Sequence, residues 1–251
     1  MPTPPFIELK RVTVAYAMAE QAVLQDLDLS YSPDQRIGLV GPNGSGKTTL
    51  FSVIMGLIQP QSGQVLFQGQ ELVKDKDFAP LRRNVGLLFQ DAEDQLFSPT
   101  VLEDVAFGPL NLGLKPAQAK DRALETLEQL GLEGFADRIT HRLSGGEKRL
   151  VALATILAMQ PKALLLDEPT NDLDPPTRQR LIATLNELDL GYVIISHDWD
   201  FLAQTTEQSL TLDKDTGRLV KSTAVPHTHV HVHEAGDAPH EHPNGPKGHR
   251  H

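Results

Sequence analysis

Gly41-Pro42-Asn43-Gly44-Ser45-Gly46-Lys47-Thr48-Thr49 fits the spacing G-x-x-x-x-G-K-[ST] at Gly41, Gly46, Lys47 and Thr48. It predicts a loop that cradles the phosphates of a nucleoside triphosphate. Arg36 to Val40, just before it, is an apolar run too short for a helix and suited to a buried strand. Gly41, Gly44 and Gly46 let the backbone curl so that successive N–H groups point inward, where a Cβ would keep a phosphate away. Lys47 adds a point charge for the β- and γ-phosphates, and the Thr48 hydroxyl suits Mg²⁺. From Lys47 to Leu57 the apolar residues Leu50, Ile54 and Leu57 recur at helical spacing. The positive end of a helix dipole is therefore expected to face the same anion.

The rest of the composition narrows the class of protein. With 251 residues the chain can bury a substantial core, as one large α/β domain or a domain with a smaller lobe. Lys+Arg 23 against Asp+Glu 33 gives a net charge of −10, which disfavours a nucleic-acid partner held by phosphate neutralisation. The absence of cysteine excludes disulfides and thiolate metal sites and is consistent with a reducing compartment. Met1-Pro2-Thr3-Pro4-Pro5 lacks the basic start and apolar stretch of a secretory signal. The longest mostly apolar run, Leu150 to Met159, is well short of the roughly twenty residues a spanning helix needs. A soluble, cytoplasmic protein is the expectation.

Taken in order, Phe6 to Tyr16 and Val23 to Tyr31 alternate apolar and polar residues and read as half-buried strands of a small antiparallel sheet. Tyr16, at the end of the first, offers a ring on which an adenine can stack. Gln59 to Gly63 reads as a turn, Gln64 to Phe67 as a short strand, and Val85 to Phe89 as an apolar strand ending at Gln90. Asp91 to Thr100 is expected to be irregular and exposed; exposed aromatic residues there hint at a contact surface, although a single one such as Phe97 is normal on any protein. Helical patterning follows from Leu102 to Gly113 and from Pro116 to Leu130, the second with Leu124, Leu127 and Leu130 on one face. Consecutive helices between strands imply a helical subdomain inserted into an α/β core.

At Leu143-Ser144-Gly145-Gly146-Glu147 a helix is expected to begin, with Ser144 as cap and Glu147 completing a capping box. A capped helix does not require two glycines; Gly145 and Gly146 bare the N–H groups of the first turn, as an anion site needs. Ala163 to Leu166 is fully apolar and ends in Asp167-Glu168, the pattern of a buried parallel strand with chemistry at its carboxyl end. Asn171 to Asp174 reads as a loop, and Pro175 as the first turn of a helix carrying Leu181, Ile182, Leu185 and Leu188. Tyr192 to Ile195 is another apolar strand, delivering Ser196 and His197 to the same edge. Thr211 to Val220 reads as a closing hairpin around Gly217.

From Ser222 onward His, Pro, Gly and acids replace apolar periodicity, as in a disordered tail. Eight of the ten histidines lie there: His227, His229, His231 and His233 alternate, and His240, His242, His249 and His251 follow. Neutral imidazole suits Ni²⁺, Co²⁺, Cu²⁺ and Zn²⁺, so the tail is a candidate transition-metal binder of poor selectivity.

The phosphate loop, LSGGE from Leu143 and LLLDEP from Leu164 to Pro169, in that order and with Gln90 and His197, resemble the nucleotide-binding subunit of ABC transporters across residues 6–221. FQDAEDQLFSPTVLEDVAFGPLNLGL, Phe89 to Leu114, is similar to the ATPase subunits of cobalt, nickel and energy-coupling-factor importers, which often read Asn-Pro where this chain has Asp91-Ala92. The resemblance implies an α/β P-loop ATPase over residues 1–221, with a mixed or parallel core sheet, an N-terminal antiparallel β lobe and a helical subdomain at about residues 91–160, followed by the tail at 222–251. It implies that Gly41 to Thr49 hold ATP and that Thr48, Gln90 and, through water, Asp167 bind Mg²⁺. Glu168 would be the general base, and His197 would hold the γ-phosphate and attacking water in line. Ser144, Gly145 and Gly146, with Glu147, would close over ATP bound to a second subunit in a head-to-tail dimer, and Asp174 would link the two sites. The partners implied are that second ATPase subunit, identical or homologous, and integral membrane subunits, with the chain peripheral on the cytoplasmic face of the cell membrane. The transported species implied is nickel or cobalt. A vitamin importer of the same class and a soluble, non-transport ABC ATPase remain as alternatives.

Overall fold

The computed structural model describes residues 4–16 and 21–221, and the histidine tail lies outside the described residues. In chain order the elements are β1 (Ile7–Val14), β2 (Leu24–Tyr31), β3 (Arg36–Val40), α1 (Lys47–Ile54), β4 (Ser62–Phe67), β5 (Gln70–Glu71), α2 (Ala79–Asn84) and β6 (Val85–Leu88). They continue with α3 (Val101–Asn111), α4 (Pro116–Gln129), α5 (Gly145–Leu157), β7 (Ala163–Asp167), α6 (Pro175–Glu187), β8 (Gly191–Ile195), α7 (Trp199–Thr205), β9 (Gln208–Leu212) and β10 (Leu219–Lys221).

Two sheets form. The antiparallel one has the order β2-β1-β4-β5, so β4 joins the two N-terminal strands. In β1 the buried residues Leu9 and Val12 are three apart, which a strict two-residue alternation cannot place on one face. A bulge absorbs the extra residue: Arg11 takes φ 47° and its N–H donates to Asp28 Oδ1 at 2.9 Å. The larger sheet has the order β10-β9-β3-β8-β7-β6, parallel except for the β10–β9 hairpin. β7 and β8 are buried along their whole length, as strands covered on both faces must be. Alternate residues serve different layers: Leu164, Leu166, Tyr192 and Ile194 pack toward α5, α6 and the helices α3 and α4, while Leu165, Val193 and Ile195 pack toward α1 and the antiparallel sheet.

This topology positions the site. β3, β8 and β7 are parallel neighbours, and register pairs Leu39 with Ile195 and Ile195 with Asp167. The loop after Val40, the carboxylates after Leu166 and the histidine after Ile195 therefore emerge along one edge of the sheet.

Several expectations change. The helix from Lys47 stops at Ile54 because Gly56 turns left-handed (φ 68°), and a Cβ there would lie 2.5 Å from the Phe78 ring. Leu57 is consequently outside the helix and 54% exposed. In α4 the buried stripe is Ala119, Ala123 and Leu127, continued by Leu130, and Leu124 points outward. The closing hairpin exists, with Gly217 at φ 62°, but it starts at Gln208, and its first strand is also a parallel partner of β3. α2, β5 and α7 were not anticipated. α7 had a local signal: Asp198 caps it, accepting from Phe201 N at 2.9 Å.

Candidate nucleotide site

The phosphate loop has the backbone its glycines permit. Gly41, Gly44 and Gly46 have φ of 147°, 75° and 101°. A Cβ on Gly41 would sit 2.6 Å from Leu212 O, and one on Gly46 2.6 Å from Val23 Cγ1, so both positions are closed to any larger residue. Lys47 begins α1 and folds back over the loop, its Nζ donating to Gly41 O at 2.8 Å and Pro42 O at 3.1 Å. The ammonium is thus parked at the mouth of the cradle. The Ser45 hydroxyl is buried within it and has no hydrogen-bond partner among the described residues. A buried hydroxyl left over in a glycine-rich loop at the start of a helix is a group that an anion would satisfy.

Facing the loop, Thr48 Oγ1 donates to Asp167 Oδ2 at 2.7 Å, tying the start of α1 to the end of β7. Glu168 takes the left-handed region (φ 47°), and its N–H donates to Ile195 O at 2.9 Å. That turn aims its carboxylate at the residue after β8: His197 N donates to Oε2 at 3.4 Å, and His197 Nε2 lies 3.4 Å from Oε1. Tyr16 Oη and Thr49 Oγ1 share a 3.0 Å hydrogen bond that holds the ring over the same opening. The resulting cleft, about 580 Å³, is lined by Tyr16, Asn43 to Thr49, Gln90, Asp167, Glu168, Asn171 and His197. An adjoining cleft of about 700 Å³ shares Thr48, Gln90 and Asn171 and is walled by Gly145 and Arg149.

The Ser144 turn is built as expected; it lines the adjoining cleft through Gly145 and contributes no residue to the first. Ser144 Oγ accepts from Glu147 N at 3.3 Å, and Glu147 Oε2 accepts from Ser144 N at 2.8 Å while Arg138 holds Oε1. The Glu147 carboxylate is therefore spent on shaping the turn. Gly145 and Gly146 pack on Asp172 and Leu173, where an added Cβ would touch at 3.4 Å. Asp174 caps α6, its Oδ1 accepting from Thr177 N at 2.7 Å.

Comparison with known proteins agrees with this geometry. The family model described as ABC transporter matches residues 24–171. A protein of Nitratidesulfovibrio vulgaris, provisionally named an ABC transporter ATP-binding protein, is 54% identical over 98% of this chain and 90% of its own length. The chain belongs to the ABC transporter family, as an ATPase. An energy-coupling factor transporter ATP-binding protein, EcfA, of Methanothermobacter thermautotrophicus is 42% identical over 85% of this chain and 69% of its own. Among solved structures, CbiO1 of Clostridium perfringens, part of the ABC transporter complex cbiONQ, superimposes with a TM-score of 0.75 at 32% identity, covering 86% of this chain and 87% of that one. The dimeric ATP-binding cassette MJ0796, bound to ADP and phosphate after hydrolysis, gives 0.77 at 30% identity, covering 86% and 98%.

In this ABC ATPase the charges of the cleft are tuned by burial. Burial lowers the Lys47 pKa, opposed by the nearby Glu168 and Asp167 carboxylates. Burial raises Asp167, opposed by the Thr48 hydrogen bond, Lys47 and Arg149. It also raises Glu168, opposed by His197 and reinforced by Asp167. A carboxylate lifted in this way is a better proton acceptor than one in water. The oxygens of Thr48 and Asp167 fit Mg²⁺, a hard cation that takes few protein ligands and keeps waters.

Sequence reading missed two residues that line these clefts. Asn171 lines both clefts. Arg149 is 4% exposed and donates to the Phe89 and Gln90 carbonyls. Its signal was its place directly before the apolar run from Leu150: residues 149–154 are buried one after another, and Arg149 opens that stretch of α5.

Proposed function

We propose that the chain is the ATP-hydrolysing subunit of an energy-coupling-factor type importer for a transition-metal ion, nickel or cobalt. The observation that carries the hydrolytic part is the pairing of Glu168 with His197 at the rim of a cleft whose floor is the phosphate loop and Lys47. In this reading Lys47 and the N–H groups of Gly41 to Thr49 hold the β- and γ-phosphates, and Tyr16 stacks on the adenine. Thr48, Gln90 and Asp167 hold Mg²⁺, which when bound neutralises charge on the phosphate oxygens. Glu168 takes the proton of the attacking water, and His197 keeps that water and the γ-phosphate in line. Phosphoryl transfer asks for this positioning and charge stabilisation rather than for a covalent intermediate.

The Ser144-Gly145-Gly146 turn, shaped by Glu147, serves the γ-phosphate of a second subunit, and Asp174 joins the two sites of a head-to-tail dimer. Support comes from the lining of the phosphate-loop cleft, to which the turn contributes no residue, and from the dimeric cassette that the chain resembles. Residues 91–160 act as the helical lobe, and Gln90 to Thr100 dock on membrane subunits at the cytoplasmic face of the membrane. Phe97 is 67% exposed and stacks edge-on against Phe107, 4.7 Å between centroids, beside an apolar groove that also includes Leu57, Phe89 and Met159. Among the described residues no helix is long and apolar enough to cross a membrane, so membrane subunits would supply the pathway.

The importer class is supported by the likeness to the EcfA and CbiO1 proteins. The metal is supported by the chemistry of His227, His229, His231 and His233, which would bind Ni²⁺, Co²⁺ or Zn²⁺. Nickel and cobalt accumulation by cells carrying the whole transporter tests both parts. Glu168→Gln is expected to abolish uptake, and removal of residues 222–251 to lower it. Metal uptake that ignores both changes would reject the metal reading, and lost vitamin uptake in the same cells would put a vitamin in its place.

A further inference from the structure

The segment bearing Gln90 leaves the core sheet at the end of β6, yet its fastenings run to α5. Arg149, on the fifth residue of α5, donates from Nη1 to Phe89 O at 2.8 Å and from Nη2 to Gln90 O at 2.6 Å. Farther along, Gln95 Nε2 donates to Ala152 O and Thr155 Oγ1, each at 2.9 Å, while its Oε1 accepts from Phe89 N at 3.3 Å. Lys148 pairs with Glu93. Three side-chain links therefore sew residues 89–95 to one helix. Arg149 is suited to the first because its rigid planar fork presents a separate nitrogen to each of two successive carbonyls, a fixed geometry that a point charge on a flexible stem does not impose. Its burial would be costly if those carbonyls were not there to receive it.

We propose that Arg149 is a positioning residue that clasps Gln90 to α5, so that Gln90 moves with the Ser144 turn and not with β6. The inference rests on the reading in which Gln90 serves the nucleotide of its own cleft and the Ser144 turn that of a second copy. α5 carries the turn at its first residues and the clasp one turn later, and a single stretch of helix holds both. Docking of the turn on a second copy then sets how far Gln90 reaches, and occupancy of one cleft is felt by the surface offered to the other.

The test is steady-state ATP hydrolysis by the full chain carrying Arg149→Lys or Arg149→Met, with hydrogen exchange followed across residues 89–95. Lysine keeps the positive charge near Asp91, Asp167, Glu168 and Asp172 but replaces the two fixed nitrogens of the fork with one on a shorter, flexible stem. The expected result for Arg149→Lys is a KM for ATP close to the parent's, a kcat lower by about tenfold to a hundredfold, and faster exchange at 89–95 with the α5 interior still protected. Gln95→Leu, which cuts a different link, is expected to speed exchange in the same segment with a smaller loss of kcat. A lysine variant with parental kcat and protection, beside an inactive methionine variant, would reduce Arg149 to a counter-charge and overturn the clasp. Loss of kcat with unchanged exchange would do the same. Parental hydrolysis by Glu168→Gln would instead break the underlying site reading, whatever Arg149 does.

Discussion

Glu168 Oε1 lies 3.4 Å from His197 Nε2 although the two residues stand at the ends of different strands, β7 and β8. The contact exists because Glu168 leaves its strand with φ 47°, a conformation that costs about 1–3 kcal/mol for a residue with a side chain. A straight continuation of β7 would send the carboxylate elsewhere. The strain is offset by the N–H bond to Ile195 O and the two contacts with His197. Glu168→Gln keeps the size and the backbone turn while removing the proton acceptor. It is expected to bind ATP normally, to accumulate as a dimer on size-exclusion chromatography with ATP, and to lose kcat by about 10²–10⁴-fold. Near-parental turnover would show that the base lies elsewhere.

The same carboxylate sets a pH dependence. Burial raises its pKa above the ordinary 4.5, so the acid limb of kcat/KM is expected above that value, and only the deprotonated form works. Linkage gives the stability effect. The folded state binds this proton more tightly than the unfolded state, so the contribution to stability is full below about 4.5 and is lost as pH rises through the folded value. At neutral pH the buried charge is then a net cost that Glu168→Gln removes. Thermal melts should show the variant gaining on the parent at pH 8 and the gain shrinking toward pH 5. A gain that grows as the pH falls would contradict the burial of this charge.

Thr48 and Asp167 supply the next expectation. Their 2.7 Å hydrogen bond holds a hydroxyl and a carboxylate on one side of the cleft, where both suit a hard cation. Asp167→Asn preserves the shape and removes the charge. The Mg²⁺ concentration for half-maximal hydrolysis is expected to rise by about 10–100-fold, with ATP binding in the absence of Mg²⁺ little changed. An unchanged Mg²⁺ titration would remove Asp167 from the metal's surroundings.

The legible parts of this molecule were those written in one window of chain. The phosphate loop, the Ser144–Glu147 cap and the apolar run into Asp167 each depend on residues a few positions apart, and each stands where it was read. Leu57 and Leu124 were misread because periodicity marks a face without saying where a helix stops or which neighbour covers it; Gly56 and the small Ala119 and Ala123 decide those points. Distant pairings were least visible. Nothing local to Gln208–Leu212 announces a parallel place beside β3, and nothing near Gln90 announces a guanidinium 59 residues on, from Arg149. His197 could be expected at the sheet edge, but its approach to Glu168 depends on the β7–β8 register.

The proposed docking can be tested apart from catalysis at Phe97. Its ring is exposed and touches Phe107, while its backbone N–H is independently held by Asp104 Oδ1 at 3.1 Å. A change of side chain therefore leaves the loop anchored. Phe97→Asp forfeits an aromatic pair worth about 0.5–1.5 kcal/mol, and its charge meets water in the free subunit. In a docked complex the same charge would be desolvated against apolar surface, and a central aromatic anchor at an interface is worth about 2 kcal/mol or more, roughly thirtyfold in affinity. The isolated variant is accordingly expected to hydrolyse ATP within about twofold of the parent, since exposed substitutions away from such features change stability little. Reconstituted with its membrane subunits it is expected to lose association and transport together. If hydrolysis by the isolated subunit fell in step with transport, Phe97 would belong to the core, and the groove beside it would have to be filled from within the chain.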